Sequence, residues 1–158
     1  MVRIAREQVH GTEACPATFE KADMRTYEPP SPDPLDAVFA VFSLFQISPG
    51  DTYAIVFRFG EWLRPGGILV LGFTPSSVLQ EGQGIYDSFW DCVRDVEKSW
   101  MTRVTRESFL SEERWREVLG QAGFSVEVER TFRFVPNDEQ HRCEEVHSLI
   151  RARKMEAD

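Results

Sequence analysis

The pentad Arg64-Pro65-Gly66-Gly67-Ile68 runs from the end of an aromatic-rich amphipathic stretch straight into the apolar run Ile68-Leu69-Val70-Leu71. Pro65 and the two glycines cannot continue a helix, and the run beyond them has the unbroken apolarity of a strand covered on both faces. Helix, tight reversal and buried strand therefore succeed one another. N-terminal to this landmark lies a second apolar run, Leu35 to Phe42, broken only by Asp36. Its length suits a strand. Ser48-Pro49-Gly50-Asp51 separates that strand from a helix expected over 52–63 with Asp51 as N-cap, and Ile55, Phe59, Trp62 and Leu63 share one stripe of it. Strand, helix and strand, with Ile68 to Phe73 as the second strand, make a parallel crossover unit of right-handed sense.

Residues 1–9 place Val2, Ala5 and Val9 at near-helical spacing, so a short amphipathic helix is expected. Ala17 to Ala22 has the pattern of a short strand, with Asp23 in the loop at its carboxyl end. The segment 27–34 carries four prolines and is expected as an extended connector. Further on, Ser76 to Gly84 is loop-like, and Ile85 to Trp100 sets Phe89, Trp90, Val93 and Val96 at helical spacing. Ser111 opens a helix whose stripe is Trp115, Val118, Leu119 and Ala122, Arg114 sits at the capping-box position, and Gly123 is the stop. Phe124, Val126, Val128, Phe132 and Phe134 alternate with mostly polar residues, and Val146, Ser148, Ile150 and Ala152 alternate in the last strand. These two strands are expected to pair antiparallel, with Asn137 to Cys143 as their connection.

A chain of 158 residues fits one domain, expected over 1–154 with 155–158 as a disordered tail. A formal charge of −8 argues against a phosphate-backbone binder, whose affinity rests on Lys and Arg density. Cys15, Cys92 and Cys143 are odd in number and far apart, so neither a disulfide framework nor a zinc spacing is present, and a reducing cytoplasm is the simplest setting. The sequence shows no signal-peptide pattern and no apolar run of membrane-spanning length. No two of His10, His141 and His147 stand at helical spacing from each other, and no metal site is expected.

In order, Phe19-Glu20-Lys21-Ala22-Asp23, Leu35-Asp36-Ala37-Val38, Trp62-Leu63-Arg64-Pro65-Gly66-Gly67, Trp115 through Ala122-Gly123-Phe124, and His147 to Lys154 resemble the later two thirds of a class I S-adenosylmethionine-dependent methyltransferase. The resemblance implies an α/β, Rossmann-like fold with a mostly parallel sheet, a C-terminal antiparallel strand pair and helices on both faces. The family sheet order is 3-2-1-4-5-7-6. The segment before Thr18 is too short for the first βαβ unit and its glycine-rich cofactor loop, so an incomplete fold is expected. Gly66 and Gly67 do not substitute for that loop, because they lie between helix and strand rather than strand and helix.

By the resemblance, Asp23 and Met24 match the loop that contacts adenine, and Ser43 lies at the strand end that faces S-adenosylmethionine. Phe45 and Gln46 there, with Tyr86, Phe89 and Trp90 in the stretch that covers the substrate in similar enzymes, are the candidate substrate contacts. His147 and His141 are the candidate bases. Asp36 reads instead as a charge at the wet end of its strand. The implied activity is methyl transfer to an apolar or aromatic small molecule, with half of the cofactor site supplied by this chain and the rest by a partner or dimer. Cofactor-independent isomerisation or cyclisation in the same pocket, and a non-catalytic binding module, are the alternatives. Without first and second strands the fourth strand has an unpaired edge, so the third strand is expected to move beside it, or two copies, or another chain, to pair there.

Overall fold

The computed structural model describes residues 2–9, 17–31, 33–100, 103–135 and 144–156. His10, His141, Cys15 and Cys143, with the connection 137–143, lie outside the described residues. The chain divides into two compact units, Met1–Pro30 and Ser31–Asp158.

In the first unit, helix α1 (Val2–Gln8) forms as the spacing predicts, with Arg3 paired to Glu7 one turn on. The strand expected over 17–22 is absent: this stretch is irregular and leads into a turn closed by Thr26 N donating to Asp23 O at 3.0 Å. A strand needs a ladder partner, and so short a stretch with Glu20 and Lys21 in it cannot form one from local pattern alone.

The second unit carries β1 (Leu35–Val41), α2 (Pro49–Trp62), β2 (Leu63–Phe73), β3 (Ile85–Asp87), β4 (Cys92–Trp100), β5 (Arg103–Leu110), α3 (Glu112–Gln121), β6 (Phe124–Phe134) and β7 (Glu145–Lys154). Its main sheet has the order β1-β2-β7-β6. This is the 4-5-7-6 half of the order implied by the resemblance. β1 and β2 run parallel, joined through α2, whereas β7 pairs antiparallel with both β2 and β6. Parallel pairing is therefore confined to one ladder and the sheet is mostly antiparallel, a correction to the expected mostly parallel sheet. Among the described residues no third strand has moved beside β1, which is an edge.

Helix α2 starts earlier than expected because Pro49 fits its first turn and Ser48, not Asp51, is the cap. Asp51 N donates to Ser48 Oγ at 3.1 Å, the N-cap bond, and the Ser48 hydroxyl donates to Asp51 Oδ2 at 2.8 Å. Between Leu63 and Ile68 the chain loops out of register with β1, and Gly66, at φ 75°, provides the reversal. Arg64 closes this end on Asp36 at 2.7 Å, which keeps that charge at the solvated end of β1 as expected.

Ile55, Val56, Phe59 and Leu63 pack with Leu69, Leu71 and Phe73 of β2 and with Trp115, Val118, Leu119 and Phe124, all buried. Burying such side chains stabilises by roughly 1.5–3 kcal/mol each before entropy is counted. α2 and α3 touch each other, so within this unit both helices lie on one face of the sheet, not on opposite faces. On the other face Val41, Gly72 and Leu149 are in register, and the Val41 and Leu149 side chains close over Gly72. Phe39, next along β1, is 72% exposed.

The helix expected over 85–100 is instead part of a second, three-stranded sheet of order β3-β4-β5. The misleading spacing comes from a bulge between Val93 and Val96, where Asp95 has φ 58°. Before it, Cys92 faces the main core opposite Leu110; after it, Val96 is buried outside that cluster. A bulge that turns the strand over breaks the period of two and leaves a helix-like pattern.

Candidate functional site

In open α/β sheets ligands bind beyond the carboxyl ends of the parallel strands. Here that rim is formed by 42–46 after β1 and by Thr74-Pro75 after β2. Phe42 sits at φ 51°, a backbone conformation that a bulky side chain rarely adopts, and its N–H donates to Gly72 O at 3.0 Å. That turn sets its ring 4.6 Å from His147 and 6.2 Å from Phe45, centroid to centroid. Phe45 is held in turn by Ser108 N, which donates to its carbonyl at 2.8 Å, and by the ring of Phe109 at 5.3 Å. Phe132 and Phe134, two residues apart on β6, stand 5.7 and 6.4 Å from His147.

His147 is thus collared by three phenylalanines, and its side chain is only 16% exposed. Its Nε2 lies 3.0 Å from Glu145 Oε2 and its Nδ1 lies 3.1 Å from Thr74 Oγ1. An ionised carboxylate only accepts, so in the neutral ring Nε2 carries the hydrogen and Nδ1 is the lone-pair side, accepting from the Thr74 hydroxyl. The imidazole thus bridges the Glu145 carboxylate and the Thr74 hydroxyl.

Beside this rim is a small cavity of about 10 Å³, lined by Leu44, Phe45, Thr74, Ser108 and Trp115 among others, room for about one water. The buried Trp115 Nε1 has no hydrogen-bond partner among the described residues. A larger ligand would lie over the rim rather than inside this cavity.

Of the residues singled out from sequence, Phe45, half-buried, and His147 come together through Phe42, with exposed Ser43 and Gln46 on the same short loop. Tyr86, Phe89 and Trp90 form a different group. Trp90 packs edge-on to Tyr53 at 5.0 Å and to Phe89 at 4.8 Å, and no ring contact among the described residues joins this group to the His147 collar. Phe89 is 76% exposed. Tyr86 OH donates to Asp91 Oδ1 at 2.9 Å, while the Ser111 hydroxyl donates to the other Asp91 oxygen. The Ser111 bond first, then that of Tyr86, holds the Asp91 carboxyl below the usual range.

Asp23 and Met24 belong to the first unit. Arg25 grips Asp23 through both guanidinium and backbone N–H and pulls its carboxyl down to about 2. Among the described residues no three His, Cys, Asp or Glu side chains are grouped to hold a metal ion, and no helix is long and apolar enough to cross a membrane.

Sequence reasoning missed Phe42, Thr74, Glu145, Phe132 and Phe134. The signal that could have found the last three is period-two spacing, which puts Glu145 and His147 on one face of β7 and Phe132 and Phe134 on one face of β6; the β6-β7 register joins the two pairs.

No protein-family model matches the sequence, and no curated protein matches it closely enough to count as a relative. Solved structures match the fold closely. A SAM-dependent methyltransferase from Methanosarcina mazei superposes with a TM-score of 0.70 at 12% identity over 99% of this chain and 78% of its own. A SAM-dependent methyltransferase from Clostridium acetobutylicum gives 0.61 at 11% identity over 98% of this chain and 69% of its own. Magnesium protoporphyrin IX methyltransferase from Synechocystis PCC 6803, solved with bound SAH, gives 0.58 at 17% identity over 96% of this chain and 57% of its own. With the sheet order described above, the fold of this chain is that of the class I S-adenosylmethionine-dependent methyltransferases.

Proposed function

We propose that the chain is a methyltransferase-like enzyme that takes an apolar or aromatic small molecule at the rim formed by the carboxyl ends of β1 and β2. The observation that carries this reading is the aromatic collar of Phe42, Phe132 and Phe134 around His147, standing at the ligand-binding end of a methyltransferase fold. Flat apolar ligands favour such ring-lined rims, with a few polar groups fixing orientation.

The residues at this rim fit S-adenosylmethionine in part. The exposed Ser43 and the backbone of 43–46 are open to it. When bound, the cofactor supplies an electrophilic methyl group on a sulfonium. The contribution of this chain is to stack the acceptor on Phe42 and Phe45, to exclude water with Phe132 and Phe134, and to orient one polar atom of the acceptor toward Thr74 and His147. Alignment and dryness of this kind supply much of the barrier reduction in a displacement reaction. A second copy or another chain, paired on the β1 edge, completes the grip on the cofactor.

Calorimetric titration of the purified protein with S-adenosylhomocysteine tests the reading. Saturable binding in the micromolar range supports it; no heat at millimolar ligand, in the presence or absence of an aromatic acceptor, refutes it. The exposed β1 edge, with Phe39 at its centre, favours a second reading as a non-catalytic module that pairs with a partner strand. Silence toward both ligand classes with retained self- or partner association selects that alternative.

A further inference from the structure

We infer that His147 is the proton acceptor of the site and that its substrate is therefore an aromatic O–H compound, a phenol, rather than an amine or a carbon nucleophile. The inference rests on the methyl-transfer reading only for the fate of the substrate once its proton has left. The proton step itself stands on the geometry of Glu145, His147 and Thr74.

Three observations converge. Glu145 fixes the ring tautomer by accepting from Nε2, which leaves the Nδ1 lone pair on the opposite side of the ring. The group at that lone pair is a hydroxyl, Thr74 Oγ1 at 3.1 Å, a position a substrate O–H takes when Thr74 rotates about its Cα–Cβ bond. Three rings also stand around His147: Phe42, Phe132 and Phe134. An aromatic acceptor stacked there presents its polar substituent to Nδ1. In the transfer the substrate O–H bond breaks, an Nδ1–H bond forms, and the bonding pair stays on the substrate oxygen. The imidazolium so formed faces the Glu145 carboxylate, which stabilises it. Arg133, on β6, is paired with Glu144 at 2.7 Å.

Glu145 is a positioning residue with a distinctive consequence. In E145Q the amide can either accept from or donate to Nε2, so the tautomer is no longer fixed and Nδ1 is an acceptor in only part of the population.

The probe is 4-nitrophenol, whose anion absorbs in the visible. Titrating it into the wild-type protein in a buffer where the free phenol is mostly neutral is expected to raise the ionised-to-neutral ratio of bound probe roughly tenfold, one pKa unit. H147F keeps an aromatic ring in the collar and is expected to bind the probe without ionising it; E145Q is expected to reduce the ionisation with the fold intact by circular dichroism. Nitrogen-15 spectra of the His147 ring should show the Nε2–H tautomer in the wild type and a shift toward Nδ1–H in E145Q. Equal ionisation in wild type and H147F overturns the inference, as does probe binding without ionisation, no probe binding, or an Nδ1–H tautomer in the wild type. S-adenosylhomocysteine binding with no probe ionisation defeats the proton acceptor and leaves the methyl-transfer reading standing; probe ionisation without cofactor binding does the reverse.

Discussion

At the residue scale, the side chains of this molecule divide into those whose chemistry is spent on the fold and those left available. Cys92 belongs to the first group. Burial pushes its thiol up to about 11 from 9.0, so it is protonated and shielded at neutral pH. An alkylating reagent at pH 8 should modify Cys92 only after denaturant unfolds the protein, which mass spectrometry reads directly. The linkage runs one way: above pH 9 the unfolded thiol ionises and the folded one does not, so the contribution of Cys92 to stability is lost as pH rises from 9 toward 11. Asp23 has the opposite sign. Its carboxyl is held at about 2 against an ordinary 3.8, chiefly by the hydrogen bond from Arg25, so its contribution is complete above about pH 4 and disappears as pH falls from there to about 2. Carbon-13 titration of the Asp23 carboxyl should show the low value, and R25Q should return it toward 3.8.

The family resemblance gave Ser43 and Phe45 as candidates at a strand end, and residue type gave His147. They could not give Thr74 or Phe42. Thr74 matters because β2 and β7 pair in a register that puts it beside His147, and Phe42 because of a backbone conformation at φ 51° that a run of apolar residues does not announce.

At the element scale, caps and close approaches carry the testable energetics. Ser48 and Ser111 each accept from a backbone N–H in the first turn of their helix. S48A should cost about 1 kcal/mol by urea unfolding. S111A should cost more than S48A, because the Ser111 hydroxyl donates to Asp91 in a part-buried setting, whereas the matching bond from Ser48 to Asp51 is exposed. Gly60 on α2 is where α2 meets α3: a Cβ there would fall 2.7 Å from Ala122 O. G60A should therefore destabilise by roughly 1–3 kcal/mol despite the better helix propensity of alanine, and an increase in midpoint would contradict the packing described.

The same scale explains which elements the sequence announced. α2, α3, β1, β2, β6 and β7 each show a sustained period or a bounded apolar run with a cap or stop, and each is found within a few residues of its expected bounds. The β3-β4-β5 sheet escaped because a bulge at Val93–Val96 interrupts its alternation, and Gly84 at φ 80° packs so closely on Arg94 and Val96 that no side chain fits there. The strand expected over 17–22 failed for the converse reason: its local pattern was strand-like, but no ladder among the described residues stands beside it.

At the scale of the whole molecule, the half-sheet of order β1-β2-β7-β6 ends on an apolar edge strand, with Phe39 72% and Val41 41% exposed. An unpaired edge of this kind favours pairing with a further strand. Sedimentation of the pure protein should give a mass above 18.2 kDa, and F39K should shift the distribution toward the single chain without loss of secondary structure. A single-chain species for the wild type at all concentrations would leave the edge to a partner chain and the cofactor grip incomplete in the isolated protein.

The carboxyl ends of β1 and β2 stand at the centre of this account as the ligand-binding rim of a methyltransferase-like site. Amide nitrogen-15 spectra recorded during titration with S-adenosylhomocysteine test that placement most directly. Saturable shifts concentrated at Ser43, Phe45, Gln46 and Thr74 are predicted; shifts confined to other surfaces, or none at saturating concentration, would contradict it.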